Sequence, residues 1–342
     1  MATFDLDSLL NLEESKISRD LSGYITYVFG APKVGKTTLA RDMGALIVAC
    51  EDGTRALTGA YVQKVKNWSD LRTLMRLCKD KRMKEKYKAL AIDTIDVAAS
   101  YCEKYICSQL EIQTLGEGGW SKNGWSAFKK EFEDVFRTIA MEGYAVLFIS
   151  HDKTETVKRV DGTEYTKIVA TAQSSVNNII KNMSDIIAYG YFDPITQERY
   201  MMLRSLDGMV DVGCRFQYIE PKIKFGYTSL LEALNTAIDK EEEIAGKEYV
   251  TTERSEYDIK DLDFDELMTE FQNVIANIPG SSDNSMSTPE GKRFGEYWVP
   301  RITEITNKYL GSGKKVSQCN RSQVEQLNCI VDELKELLKK EN

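Results

Sequence analysis

A single histidine, His151, stands among the 342 residues, which argues against metal chemistry built on imidazole ligands. The seven cysteines, at 50, 78, 102, 107, 214, 319 and 329, include no paired CxxC spacing. That pattern argues against a zinc site and for reduced thiols in a cytoplasm. No apolar run approaches the roughly 18 residues that would suggest a membrane span, so a soluble protein with no membrane partner is expected. Residues 1–15 mix leucines with Asp5, Asp7, Glu13 and Glu14 and lack the basic start and apolar stretch of a secretory signal. An excess of basic charge is missing too: the formal net charge is -8. Proteins that neutralise phosphates usually present a basic face, so any nucleic-acid site here must be local. The charge is uneven, with residues 64–88 rich in Lys and Arg and residues 239–266 strongly acidic. No internal repeat at a fixed period is apparent.

What is present is an alternation of short apolar runs with amphipathic stretches over residues 24–238, the pattern of an α/β domain with a largely parallel sheet flanked by helices. Strands are expected at 24–29, 45–50, 89–93, 145–150, 185–189 and 200–204, and helices at 69–86, 97–110 and 127–141. Beyond an acidic stretch, a helix is expected at 264–275, with Asp263 as its cap and Glu266 completing a capping box. Residues 280–289, which begin with Gly280, end with Pro289 and include four serines, read as a flexible linker. Two further helices are expected at 299–309 and 322–340, the second with Val324, Leu327, Ile330, Val331, Leu334 and Leu337 on one face. The resulting division is an N-terminal segment 1–21, a core 22–238, an acidic region and linker 239–290, and a C-terminal helical module 291–342. That module is either a tail packed on the core or a partner-binding element.

The strongest local signal is Gly30-Ala31-Pro32-Lys33-Val34-Gly35-Lys36-Thr37, preceded by an apolar run and followed by Thr38 and a helical pattern. This is the strand, loop and helix order of a P-loop. Gly30 and Gly35 let the backbone wrap phosphate, and the unpaired N–H groups at the start of the helix face the anion. Lys36 is placed to bridge the β- and γ-phosphates, and Thr37 to put its hydroxyl on Mg²⁺, so the expected cofactor is Mg-ATP.

Asp93 ends the apolar run 89–93 and is the candidate second partner of the metal, with Asp96 as the alternative. Glu51 follows another buried strand and is the candidate base for an attacking water, with Asp52 in reserve; the bland alternative is a turn starting at Gly53. Ser150 and His151 end a third core strand, where a polar group can sense the γ-phosphate; a lone histidine is otherwise more often structural.

These four features, in this order and spacing, resemble the RecA-like ATPases. More closely, the chain resembles phage-encoded RecA-core proteins that assist single-strand annealing and recombination and are grouped as AAA-family or nucleotide-binding proteins. The resemblance covers about residues 22–234. It implies that Glu51 acts on the attacking water and that the strand-end polar residue couples nucleotide to DNA. In RecA itself that residue is a glutamine, so His151 is a departure. It also implies rings or filaments, in which a neighbour's Lys or Arg reaches the γ-phosphate. Arg215 resembles that position, and Arg204 is the other candidate.

The resemblance further implies single-stranded DNA binding through loops after the third and fourth core strands. The first candidate, residues 116–125, carries Trp120, Lys122 and Trp125, whose rings can stack on bases; the alternative is a turn with Trp125 buried at the next helix. The second, residues 153–169, reads as a β-hairpin around Asp161-Gly162 with Lys153, Lys158, Arg159 and Lys167 facing phosphates. Asp152, Glu155, Asp161 and Glu164 balance those charges, so an oligomer contact is the alternative. The basic stretch 64–88 reads as a solvated helix face before it reads as a DNA site. The expected function is a Mg-ATP-hydrolysing, oligomeric RecA-like ATPase on single-stranded DNA. The alternatives are a hexameric helicase-type motor and a nucleotide-dependent adaptor recruiting a partner such as single-strand-binding protein through the C-terminal region.

Overall fold

The structure is a computed structural model that describes residues 10–12, 14–117, 119–159, 161–251, 262–283 and 286–341, without the side chains of Trp120 and Lys122. It divides into two compact units, one of residues 13–257 and the other of residues 1–12 with 258–342.

The larger unit is built on strands whose sequences are largely apolar, with polar residues such as Asp93 and Ser150 at their ends. Strands β1 (Ile25–Gly30), β2 (Leu46–Ala49), β4 (Ala89–Asp93) and β5 (Ala145–Ser150) are buried at every residue. Such runs suit a parallel sheet covered on both faces. The remaining members of the sheet are β3 (Tyr61–Lys64), β8 (Ile186–Phe192), β9 (Arg199–Met202), β10 (Gly213–Cys214) and β11 (Lys222–Lys224). Their order is β11-β9-β8-β1-β5-β4-β2-β3, with β10 alongside β8. From β8 to β3 every pairing is parallel; β9, β10 and β11 are antiparallel additions. A separate hairpin pairs β6 (Asp152–Lys158) with β7 (Glu164–Ala170).

Side chains alternate between the two faces along each strand, so each core strand feeds two cores. On one face Tyr27, Phe29, Val48, Ile92 and Phe148 pack with helices α2 (Trp68–Leu77), α4 (Ile95–Leu110), α5 (Gly124–Ala140) and α6 (Ser174–Met183). The repeat Phe128, Phe132, Phe136 forms a helical stripe, and Trp68 stacks on Phe132. On the other face Val28, Ile47, Ala91, Leu147 and Ala188 meet α1 (Lys36–Asp42) and α7 (Tyr227–Ala245).

Three expectations about individual elements differ from what is found. The single helix 69–86 is two, because Asp80 accepts the Arg82 N–H and caps a new helix, α3 (Lys81–Lys86). Strand β3 was not expected; it is an exposed edge strand reading Tyr-Val-Gln-Lys, without an apolar alternation. Residues 280–283 and 286–289 are a packed turn and not an open linker. There the Asp283 carboxylate accepts from the Thr288 N–H and hydroxyl at 2.8 and 2.7 Å, and Thr288 caps the helix beginning at Pro289.

In the smaller unit α8 (Phe264–Ala276) and α9 (Val299–Leu310) both pack on α10 (Val324–Glu341). Leu267, Val274, Ile305, Leu310, Leu327, Ile330, Val331 and Leu334 form its core. The division therefore falls near residue 257 and not at 290, because α8 buries its apolar face with the C-terminal helices. No helix among the described residues is long and apolar enough to cross a membrane.

Candidate nucleotide-hydrolysis site

Strand order assembles the site. Because β5 runs between β1 and β4, the loop that leaves β1, the carboxylate ending β4 and the polar end of β5 all reach one edge of the sheet. Ligands in open α/β sheets bind at the carboxyl ends of the strands.

The phosphate loop is held tightly. Gly30 has φ of 149°, and a Cβ there would lie 2.1 Å from the Gly190 carbonyl oxygen, which also accepts the Ala31 N–H at 3.1 Å. Only glycine fits that approach. Lys33 at φ 65° and Gly35 at φ 114° carry the chain round to α1, whose start has no side-chain cap. Its first N–H groups are thus free to meet an anion. Lys36 is buried, and its Nζ donates to the Gly30 and Ala31 carbonyls at 2.5 and 3.0 Å. Burial pulls its pKa below the usual lysine value, opposed by the carboxylates of Asp152, Asp93, Glu51 and Asp96.

Thr37 Oγ1 donates to Asp93 Oδ2 at 2.8 Å. Burial raises the Asp93 carboxyl above its ordinary range, with the Thr37 hydrogen bond working the other way. A hydroxyl and a buried carboxylate side by side, with the Lys36 ammonium acting on the carboxylate from nearby, make an oxygen donor pair that suits Mg²⁺. Glu51 follows β2, and its Oε1 lies 3.4 Å from Nε2 of His151, both side chains partly exposed. The residues read from sequence as base and sensor are therefore brought together as one pair.

The reserve residues are placed elsewhere. Asp52 is exposed and held below the usual carboxylate range by Lys64, at 2.7 Å, and by Arg55. Asp96 accepts the hydroxyls of Ser150 and Thr171. Arg215 is at the opposite edge of the sheet, 3.1 Å from Asp185, whose other oxygen accepts the N–H of Ile25 at the start of β1. With about 3.3 Å per strand residue, that edge is some 17 Å from the loop, so Arg215 is outside its own chain's site. Arg204 points Nη2 at the carbonyls of Cys214, Phe216 and Gln217, a structural role.

Two neighbours of the loop carried no sequence signal. Arg199, on β9, puts Nη1 3.5 Å from the Val34 carbonyl, and the Phe225 ring lies against Gly35 and Gly190. Arg199 lies on an antiparallel strand and Phe225 just after another, both remote in sequence from the loop, and no local pattern marks them.

The expected nucleic-acid residues are mostly engaged. In the hairpin, Lys153 pairs with Glu155 at 3.0 Å, Lys158 with Glu164 at 3.2 Å, and the Arg159 guanidinium sits 4.7 Å over the Tyr165 ring. Lys167 is not a free cation: it and Lys181 hold the half-buried Asp211 at 2.7 and 2.6 Å. In the first candidate loop Gly124 is pressed against the Leu115 carbonyl, and Trp125 is partly exposed beside Phe128. The side chains of Trp120 and Lys122 lie outside the described residues. In the basic stretch Arg72, Arg82 and Lys84 pair with Glu131, Asp80 and Glu142.

The profile of the AAA domain family matches residues 22–222. The chain is similar to the SPbeta prophage-derived uncharacterized protein YorG of Bacillus subtilis (strain 168), 26% identical over 341 residues that span 96% of this chain and 98% of that one. Among solved structures it is similar to the RadB recombinase, at 19% identity and a TM-score of 0.34 over 58% of this chain and 85% of that chain. The family match takes in the phosphate loop, Glu51, Asp93 and His151, and covers more than half of the sequence. The chain belongs to the AAA domain family, its matched segment being a P-loop ATPase domain.

Proposed function

We propose that this protein is a Mg-ATP-hydrolysing, RecA-like ATPase that assembles on single-stranded DNA and serves recombination, strand annealing or replication of a phage. The observation that carries the reading is the Glu51–His151 contact beside the Thr37–Asp93 pair. A carboxylate that orients water and a pair that suits the metal stand at one strand edge with the loop lysine. Thr37 and Asp93 would hold Mg²⁺, which when bound neutralises charge on the phosphates. Lys36 binds phosphate oxygens, and Glu51, oriented by His151, takes the proton of the attacking water. The chain leaves His151 directly into the β6–β7 hairpin, which favours that hairpin as the element answering to nucleotide. The prophage origin of the similar YorG protein supports the phage setting.

The test is ATP hydrolysis with and without single-stranded DNA at low and moderate salt. Stimulation by DNA is expected, and its absence together with absent binding overturns the DNA half. Lys36→Ala should abolish hydrolysis; retained turnover overturns the site. A second reading, a nucleotide-dependent adaptor, is favoured by one feature: residues 258–342 form a compact unit with its own core. Deleting residues 258–342 should then remove capture of a partner such as single-strand-binding protein and leave hydrolysis intact. Electron microscopy with ATP analogue and DNA distinguishes a ring from a filament.

A further inference from the structure

The turn after β7 closes a ring of hydrogen bonds behind His151. Asp96, in the first turn of α4, accepts on Oδ1 from Ser150 Oγ at 3.1 Å and from Thr171 Oγ1 at 2.6 Å. Thr171 also donates its backbone N–H to the His151 carbonyl at 2.9 Å. His151 is therefore held on both sides: its carbonyl by Thr171, and the preceding Ser150, fully buried, by Asp96. The second oxygen of Asp96 is buried and receives no hydrogen bond from the protein, so both of the carboxylate's protein hydrogen bonds come from these two hydroxyls. A carboxylate that is half satisfied in a buried place is costly, and a core serine and threonine aimed at a single oxygen are not needed to cap a helix. The three residues come from three separate strand ends: Asp96 beyond β4, Ser150 on β5 and Thr171 beyond β7.

We propose that Asp96 and Thr171 are positioning residues for hydrolysis. The ring fixes the main chain of His151 so that its imidazole stays against Glu51. Because Thr171 directly follows the return strand of the hairpin, a displacement of the hairpin opens the ring and frees His151 without touching the nucleotide. The inference rests on the reading of Glu51 and His151 as the pair acting at the attacking water.

The test uses Thr171→Val, which keeps the shape and removes the hydroxyl, with Thr171→Ser and Asp96→Asn beside it. Thr171→Val should lower kcat for ATP by roughly tenfold to a hundredfold, the cost of a reacting group misplaced by about 1 Å. Its Kd for Mg-ATP should stay within about twofold of wild type, and Thr171→Ser should recover most of kcat. His151 is the one histidine of the chain, so its ring resonances report on it without ambiguity. Glu51→Gln should shift those resonances in the wild-type background and shift them much less in Thr171→Val. Asp96→Asn, which weakens both bonds, should act in the same direction. Wild-type kcat in Thr171→Val with an undiminished response to Glu51→Gln overturns the proposal. So does an equal loss in Thr171→Ser, or a loss of kcat that accompanies lost Mg-ATP binding, since either marks a structural role. Should the wild type fail to hydrolyse ATP, the hydrolysis reading falls, and the resonance experiment still decides whether the ring holds His151 to Glu51.

Discussion

Replacing Gly190 by alanine asks whether the phosphate loop is braced from outside by the antiparallel edge of the sheet. A Cβ at Gly190 would lie 2.5 Å from Phe225 Cε2, 3.1 Å from Phe225 Cδ2 and 3.1 Å from Val34 Cγ1. Carbon atoms pack favourably at about 3.5–4.0 Å, so the ring must retreat by about 1 Å. Gly190 sits in regular strand backbone, so the penalty comes from contact and not from conformation. The other near neighbour, Val34, belongs to the loop itself, so relieving the contact shifts either the ring packed beside the loop or the loop. Overpacking of this kind costs about 1–3 kcal/mol, and displacement of phosphate-binding groups by about 1 Å costs up to roughly a hundredfold in activity. Urea unfolding should show the loss of stability, and equilibrium titration with Mg-ATP should show weaker binding. Gly213→Ala is the control: nothing lies within 4 Å of its Cβ position, so its stability should change by no more than about 0.5 kcal/mol. Gly190→Ala with wild-type stability and wild-type Mg-ATP affinity would refute the brace.

Glu51→Gln should bind Mg-ATP normally and hydrolyse it about a hundredfold more slowly or worse, as steady-state turnover and equilibrium binding will show. Lys167→Ala leaves Asp211 with Lys181 as its remaining ion-pair partner and should cost about 1–3 kcal/mol in urea unfolding. The double change Lys158→Ala and Arg159→Ala should instead leave stability within about 0.5 kcal/mol. It should weaken single-stranded DNA binding and flatten its salt dependence by about one or two units of slope, read by titration at several salt concentrations. Leu334, 1% exposed, sits in the core of the smaller unit. Leu334→Ala should cost that unit about 2–5 kcal/mol, seen calorimetrically as an earlier transition, with ATP hydrolysis retained.

The sequence by itself determined the phosphate loop, the buried strands and the carboxylate that ends β4, because each is written in contiguous residues. A P-loop needs eight neighbouring positions, and a strand covered on both faces needs an unbroken apolar run. The apolar stripes of the C-terminal helices were legible for the same reason, since burial of a helix face repeats along its own chain. Strand β3 escaped because an exposed edge strand carries no such pattern. What only the tertiary structure decided are relations between distant segments. Insertion of β5 between β1 and β4 sets His151 against Glu51, and the hairpin's return brings Thr171 onto Asp96. Folding over of the antiparallel strands lays Arg199 and Phe225 on the loop, Asp211 takes Lys167 away from the candidate DNA contacts, and Arg215 is carried to the far edge. Periodicity reports which face of a segment is buried, but the partner that buries it comes from strand order and packing, which no single stretch of residues contains.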